Sequence, residues 1–218
     1  MDNRSSPYDS SSPYNNPPSH DSSVYGDGAT LPDGWPRVSR GHMIAFGIGV
    51  AVLWLLILTS RQQFVIPLDY ANLAIHETGH LVFMPFGDTL QMWGGTLFQC
   101  IVPIVFGVYF WRKRQTAGLA VAGVWLGENF LNIARYAADA KVRVLPLVGG
   151  GRHDWQFIFN KLGCINSCTT IVAGIKIAGW IIMLAAVAWY IWRWRVSEEH
   201  AAQRREQAQR EQWNTRQS

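Results

Sequence analysis

Apolar positions along this chain fall into five runs separated by short polar breaks. Residues 42–60, "HMIAFGIGVAVLWLLILTS", carry no charge and are long enough to predict a first membrane-spanning helix. Residues 64–87, "FVIPLDYANLAIHETGHLVFMPFG", form a second run that polar residues interrupt. Asp69 is a good helix cap there, so the helix is expected to begin near Tyr70. The third run, 91–111, is closed by Arg112, Lys113 and Arg114. The fourth covers 115–137, and the fifth, 169–192, is closed by Arg193 and Arg195. Trp and Tyr gather at several run ends, as interfacial anchors do. The expected fold is all-α: a polytopic bundle of about five transmembrane helices over residues 42–194.

Two polar tails flank this domain. Residues 1–41 are rich in Ser, Pro, Asn, Asp and Tyr, are almost free of large aliphatics and predict a disordered N-terminal tail without a secretory signal. "SPY" recurs at 6–8 and 12–14, which composition bias explains better than a partner motif. Residues 195–218 are helix-prone but polar all round, predicting a solvated C-terminal extension. The single sizeable loop, between the fourth and fifth runs, holds three consecutive Gly and an "HDW" tripeptide. Its "DWQFIFNKLG" stretch predicts a short interfacial helix capped by Asp154.

Composition adds little against this pattern. The net charge of +4 comes from the C-terminal part, because Arg4, Arg37 and Arg40 face five Asp in the N-terminal tail. Arg and Lys flanking spans account for the basic balance, so nucleic acid is not an expected partner. Cys100 lies inside a span and reads as packing. Cys164 and Cys168 would share a helical face, which is weak evidence for a disulfide or a metal.

The second run carries the chemistry. "HETGH", 76–80, places His76 and His80 one helical turn apart on one face, with Glu77 between them. That spacing suits a zinc ion held by both histidines, with Glu77 as general base and acid. Zinc at such a site brings the pKa of a bound water toward about 7. A carboxylate near mid-bilayer costs roughly 2.5–3.5 kcal/mol on insertion scales, so the group needs a partner or a role. The competing reading is a hydrogen-bonded polar cluster that holds the bundle together.

A catalytic zinc usually has a third protein ligand. Glu128, Asn132, Arg135 and Asp139 follow a 4-3-4 spacing and form one polar stripe on the fourth run. Asp139 lies at its far end, toward the same side as the histidines if all five runs cross. Glu128 sits deeper, and His153 with Asp154 could fold over the site from the loop. Each also has an ordinary reading. Glu128 could pair with Arg135 through Asn132, Asp139 with Lys141 or Arg143, and His153 and Asp154 could be loop and cap. Asp139 is favoured, ahead of Glu128 and His153.

"HETGHLVFMPFG" followed by "GGTLFQ" resembles the site-2 protease family of intramembrane zinc metallopeptidases, over roughly residues 64–155. The match is close at His76, Glu77, Gly79 and His80. The resemblance implies a zinc endopeptidase acting on a membrane protein or peptide, with an Asp ligand from a later span. It also implies a re-entrant segment near 86–95 and a site open to the cytosol, within a multi-pass plasma (inner) membrane protein. In that arrangement the N-terminal tail shares the side of the site. This chain departs from the family at the Asp, where "YAADA" lacks a neighbouring Pro or Gly, and it has no PDZ-like insertion. Two other functions stay open: a degenerate membrane protein that binds a metal or a partner, and a zinc hydrolase acting on a lipid amide.

Overall fold

The computed structural model describes residues 30–60, 65–66, 68–145 and 152–217. Among them there is no strand, only an isolated bridge between Thr30 and Pro36. Six helices follow in order: α1 (Arg40–Thr59), α2 (Leu68–Phe83), α3 (Asp88–Arg112), α4 (Thr116–Ala138), α5 (Asp154–Lys161) and α6 (Cys168–Gln217). The all-α membrane bundle is borne out. Helices α1, α3, α4 and α6 are long and apolar enough to cross a bilayer.

Helix α2 differs from the expected second span. Its 16 residues fall short of the roughly 20 that a crossing needs. The expected re-entrant segment near 86–95 is also replaced. Residues 84–86 make a single 3-10 turn, Gly87 at φ 90° reverses the chain, and 88–112 are one continuous helix. The short excursion is thus α2 itself. Asp69 is not its N-cap but lies within its first turn, where its carboxylate accepts from the Val65 amide. Val65 is buried with Ile57 of α1 and Leu131 of α4, which fixes the start of α2 inside the bundle.

The span-length helices alternate in direction. At one end, Arg40 of α1 pairs with Glu198 of α6 at 2.7 Å, and Trp35 packs edge-on between Trp111 of α3 and Trp189 of α6. At the other end lie the last turn of α2, the first turns of α3, the end of α4, and α5. Helix α4 is central. It meets α6 where Gly127 and Gly179 face each other, and a Cβ on Gly127 would lie 2.6 Å from the Gly179 carbonyl oxygen. No larger residue allows that approach.

The N-terminal tail differs from expectation, while the polar helical C-terminal tail is borne out. Residues 1–29 lie outside the described residues, but 30–38 are ordered by packing on α6. There the Val38 amide donates to Ser197 Oγ at 3.0 Å, and Arg193 reaches Asp33 at 2.5 Å. Residues 195–217 are no separate element, because α6 runs through them unbroken. Its last turns are exposed while Arg193, Ser197 and Ala201 are buried. Cys100, Cys164 and Cys168 are all free thiols, and Cys100 and Cys164 pack against the core around Trp155.

With α1, α3, α4 and α6 all crossing a bilayer, both tails would lie at one end and α5 at the other. In a cysteine-free variant, single cysteines at Gln209 and Lys161 are expected to react with an impermeant maleimide from opposite faces of sealed vesicles. Labelling of both from one face would refute the four-crossing topology.

Candidate metal centre

The site begins with a close helix contact. Gly79 of α2 and Gly94 of α3 touch backbone to backbone, and a Cβ on Gly94 would lie 2.7 Å from the Gly79 carbonyl oxygen. Gly95, next in α3, leaves the space that the His76 ring fills. A Cβ there would sit 2.5 Å from His76 Nε2. The glycine within "HETGH" is therefore a packing requirement that lets α3 close over the histidines.

Helix α5 supplies the third group. Its apolar side, Trp155, Ile158 and Phe159, is buried against Ile133, Ala137, Ala140 and Cys168. His153, not Asp154, caps this helix, since its Nδ1 accepts from the Gln156 amide. Asp154 is then the first helical residue, and its side chain is free to turn inward.

Three donor atoms converge. Asp154 Oδ2 lies 2.9 Å from His76 Nε2 and 3.1 Å from His80 Nε2. One ligand atom from each of the three residues falls within 4.8 Å of the other two. Tyr136 of α4 reaches the same carboxylate oxygen with its hydroxyl at 3.3 Å, and its ring meets His76 edge-on. Glu77, half-buried, sits close enough for its charge to act on both His80 and Tyr136.

The far side of each imidazole determines what the near side offers. His80 Nδ1 is 2.7 Å from the Gln91 backbone carbonyl, and His76 Nδ1 is 3.3 Å from Gln99 Oε1. Carbonyl oxygens only accept, so both Nδ1 atoms carry a proton; a neutral ring then turns an Nε2 lone pair toward Asp154, and a charged ring donates to it from Nε2. Burial raises the Asp154 carboxyl, but hydrogen bonds to His76 and then His80, reinforced by their charges, outweigh it and hold the group at about 2. With neutral rings, two lone pairs and an anion would face one another in a buried pocket. Such a set favours a positive charge between them, as protons on the rings or as a metal ion. Ligand bonds of about 2 Å at tetrahedral angles separate donor atoms by roughly 3.3 Å, close to the spacing here. The residues fit a borderline divalent cation.

The other candidates lie elsewhere. Asp139, expected to complete the site, is at the end of α4 and accepts from the Val144 and Leu145 amides at 2.9 and 3.1 Å. Its remaining partner is His153 Nε2 at 3.4 Å, so it braces the chain leading into α5. The correction follows from α2, which does not run the length of α4 and so does not bring the histidines level with an α4 carboxylate. Glu128 accepts from Asn72 Nδ2 at 2.7 Å, deeper in the bundle. Asn132 bonds Asp69 and Gln99. His153 stacks on Tyr136 with ring centroids 4.4 Å apart, and its burial disfavours the charged form. The Gly run at 149–151 lies outside the described residues.

Gln99, Tyr136 and the Gln91 carbonyl escaped the sequence reading. Gln99 had a signal, being a lone amide in the apolar stretch "LFQCIV". A backbone carbonyl has none.

Because the Asp154 carboxyl is depressed to about 2, its contribution to stability is full above the unfolded value of about 3.9 and is lost as pH falls through the folded value. In chelator-treated protein, Asp154→Asn is expected to remove that part of the acid destabilisation, read as thermal unfolding in detergent between about pH 4 and 2. An unchanged acid limb in the variant would count against the pairing. Comparison with family models, curated proteins and solved structures found no match to this chain.

Proposed function

We propose that this chain is a membrane-embedded, zinc-dependent endopeptidase that hydrolyses a peptide bond in or near a membrane segment. The observation that carries the reading is the convergence of His76 Nε2, His80 Nε2 and the Asp154 carboxylate beside Glu77. His76, His80 and Asp154 would hold the ion. Zinc in such a site acts as a Lewis acid and makes water nucleophilic at neutral pH. Glu77 would take the proton from the attacking water on its carboxylate and return it to the leaving amine. The Tyr136 hydroxyl would keep Asp154 oriented. The apolar bundle excludes bulk water, and a substrate helix would have to unwind locally to present its peptide bond.

The tail end of the bundle holds Arg37, Arg40, Arg112, Lys113, Arg114, Arg193 and Arg195, against Lys141, Arg143, Arg152 and Lys161 at the site end. By the positive-inside rule that end would face the cytosol and the site the opposite side. This reverses the expectation of a cytosol-facing site, which came from the family resemblance.

Metal content of purified protein tests the reading. Wild type is expected to hold about one zinc per chain, lost in His76→Ala and His80→Ala and kept in Glu77→Gln. Asp154→Asn should weaken binding about 10-fold or more, and Asp139→Asn should leave it near wild type. Glu77→Gln should lower hydrolysis of a membrane-segment peptide by about 100-fold or more. Metal-free wild type, or zinc loss in Asp139→Asn but not in Asp154→Asn, would overturn the assignment.

A further inference from the structure

Beneath the three converging donors lies a row of side-chain amides that a metal centre does not by itself require. Gln99 is 2% exposed and Asn129 is fully buried. Gln99 Nε2 donates to Asn129 Oδ1 at 2.9 Å and to Asn132 Oδ1 at 3.0 Å. Amides can be turned either way, so the direction of such a row needs a fixed reference. Two are present. Asn129 Nδ2 donates to the Gln99 backbone carbonyl at 3.1 Å, and a carbonyl only accepts. Asn132 Nδ2 donates to the Asp69 carboxylate, which faces the Val65 amide with its other oxygen.

Each anchor leaves an asparagine oxygen to accept from Gln99. Gln99 must then present its NH2 to α4 and its oxygen to α2. The oxygen meets His76 Nδ1, so that nitrogen must carry the proton. We propose that Gln99, locked by Asn129 and Asn132, is a positioning residue that sets the His76 tautomer and aims its Nε2 lone pair at Asp154. The proposal rests on the metal reading for its purpose, but the tautomer it predicts exists with or without a metal.

The geometry assigns a consequence to each link. Without Gln99, nothing described here holds the proton on His76 Nδ1, and the neutral ring can instead place it on Nε2 as a donor to Asp154. That tautomer cannot ligate through Nε2. His80 takes its direction from the Gln91 backbone carbonyl and is independent of the amide row. It is therefore an internal control.

The test uses full-length protein with 15N-labelled histidine in lipid, metal-free, at a pH where both rings are neutral. Wild type is expected to show His76 and His80 both protonated at Nδ1. Gln99→Leu should shift His76 toward the Nε2-protonated form and leave His80 unchanged. Gln99→Glu keeps an acceptor toward His76 and should restore the Nδ1 form. Cobalt binding, read from its visible absorption, should weaken about 10–100-fold in Gln99→Leu, with His76→Ala as the reference for loss.

Wild-type His76 protonated at Nε2 would overturn the proposal. So would an unchanged His76 tautomer in Gln99→Leu, or equal movement of His76 and His80. If Gln99→Leu does not fold, the Asn129→Leu and Asn132→Leu double variant unlocks Gln99 without removing it, and His76 is expected to lose its fixed tautomer. Wild type that takes no cobalt, yet shows the predicted tautomers, would sink the metal reading and leave the amide row standing.

Discussion

The structure depends on one electrostatic constraint: two imidazole Nε2 atoms and a carboxylate are held face to face in an apolar bundle. Bringing acceptors together out of water is costly unless a cation sits among them. The surrounding features keep the three from turning aside. The Gly79 and Gly94 contact brings α3 down onto α2, and Gly95 makes room for the His76 ring. The Gln91 carbonyl and the Gln99 amide occupy the outer nitrogens. Tyr136 holds the carboxylate from the third side.

Placement in the bundle makes these supports effective. A bilayer interior offers no water to satisfy an unpaired amide, so Gln99, Asn129, Asn132, Asn72 and Trp125 satisfy one another instead. Helix α4 carries much of this network because it is central and meets α3 and α2 on its polar face. Helix α2 is short because it must enter from within the bundle and leave at one end. Helix α5 then crosses that end and drops Asp154 onto the histidines, with its own apolar side buried as an anchor.

The opposite end is built from different physics. Arg193 is 2% exposed, faces Asp33, and lies over the Trp35 and Trp192 rings at 5.4 and 5.5 Å. Stacking on aromatic faces lets a weakly hydrated guanidinium be buried at tolerable cost. This clamp ties residues 30–38 to α6 and joins α1, α3 and α6 at their shared end. It is separate from the donor cluster, so the tail can be ordered without touching the chemistry.

Hydropathy by itself determined the four span-length helices, because a 20-residue apolar run has one stable form in lipid. The spacing of His76, Glu77 and His80 likewise fixed one helical face with two ligands, a local property of helix geometry. The third carboxylate was not legible: the sequence favoured Asp139 over Glu128 and the His153–Asp154 pair, and the choice turns on the depth and tilt of α2. Those depend on glycine contacts between helices and on α5 packing under Trp155. Gln99 was likewise visible as an oddity but had no role until α4 supplied Asn129 and Asn132. Period and composition act within one segment. The direction of a hydrogen bond and the choice of a ligand arise between segments, where only tertiary structure decides them.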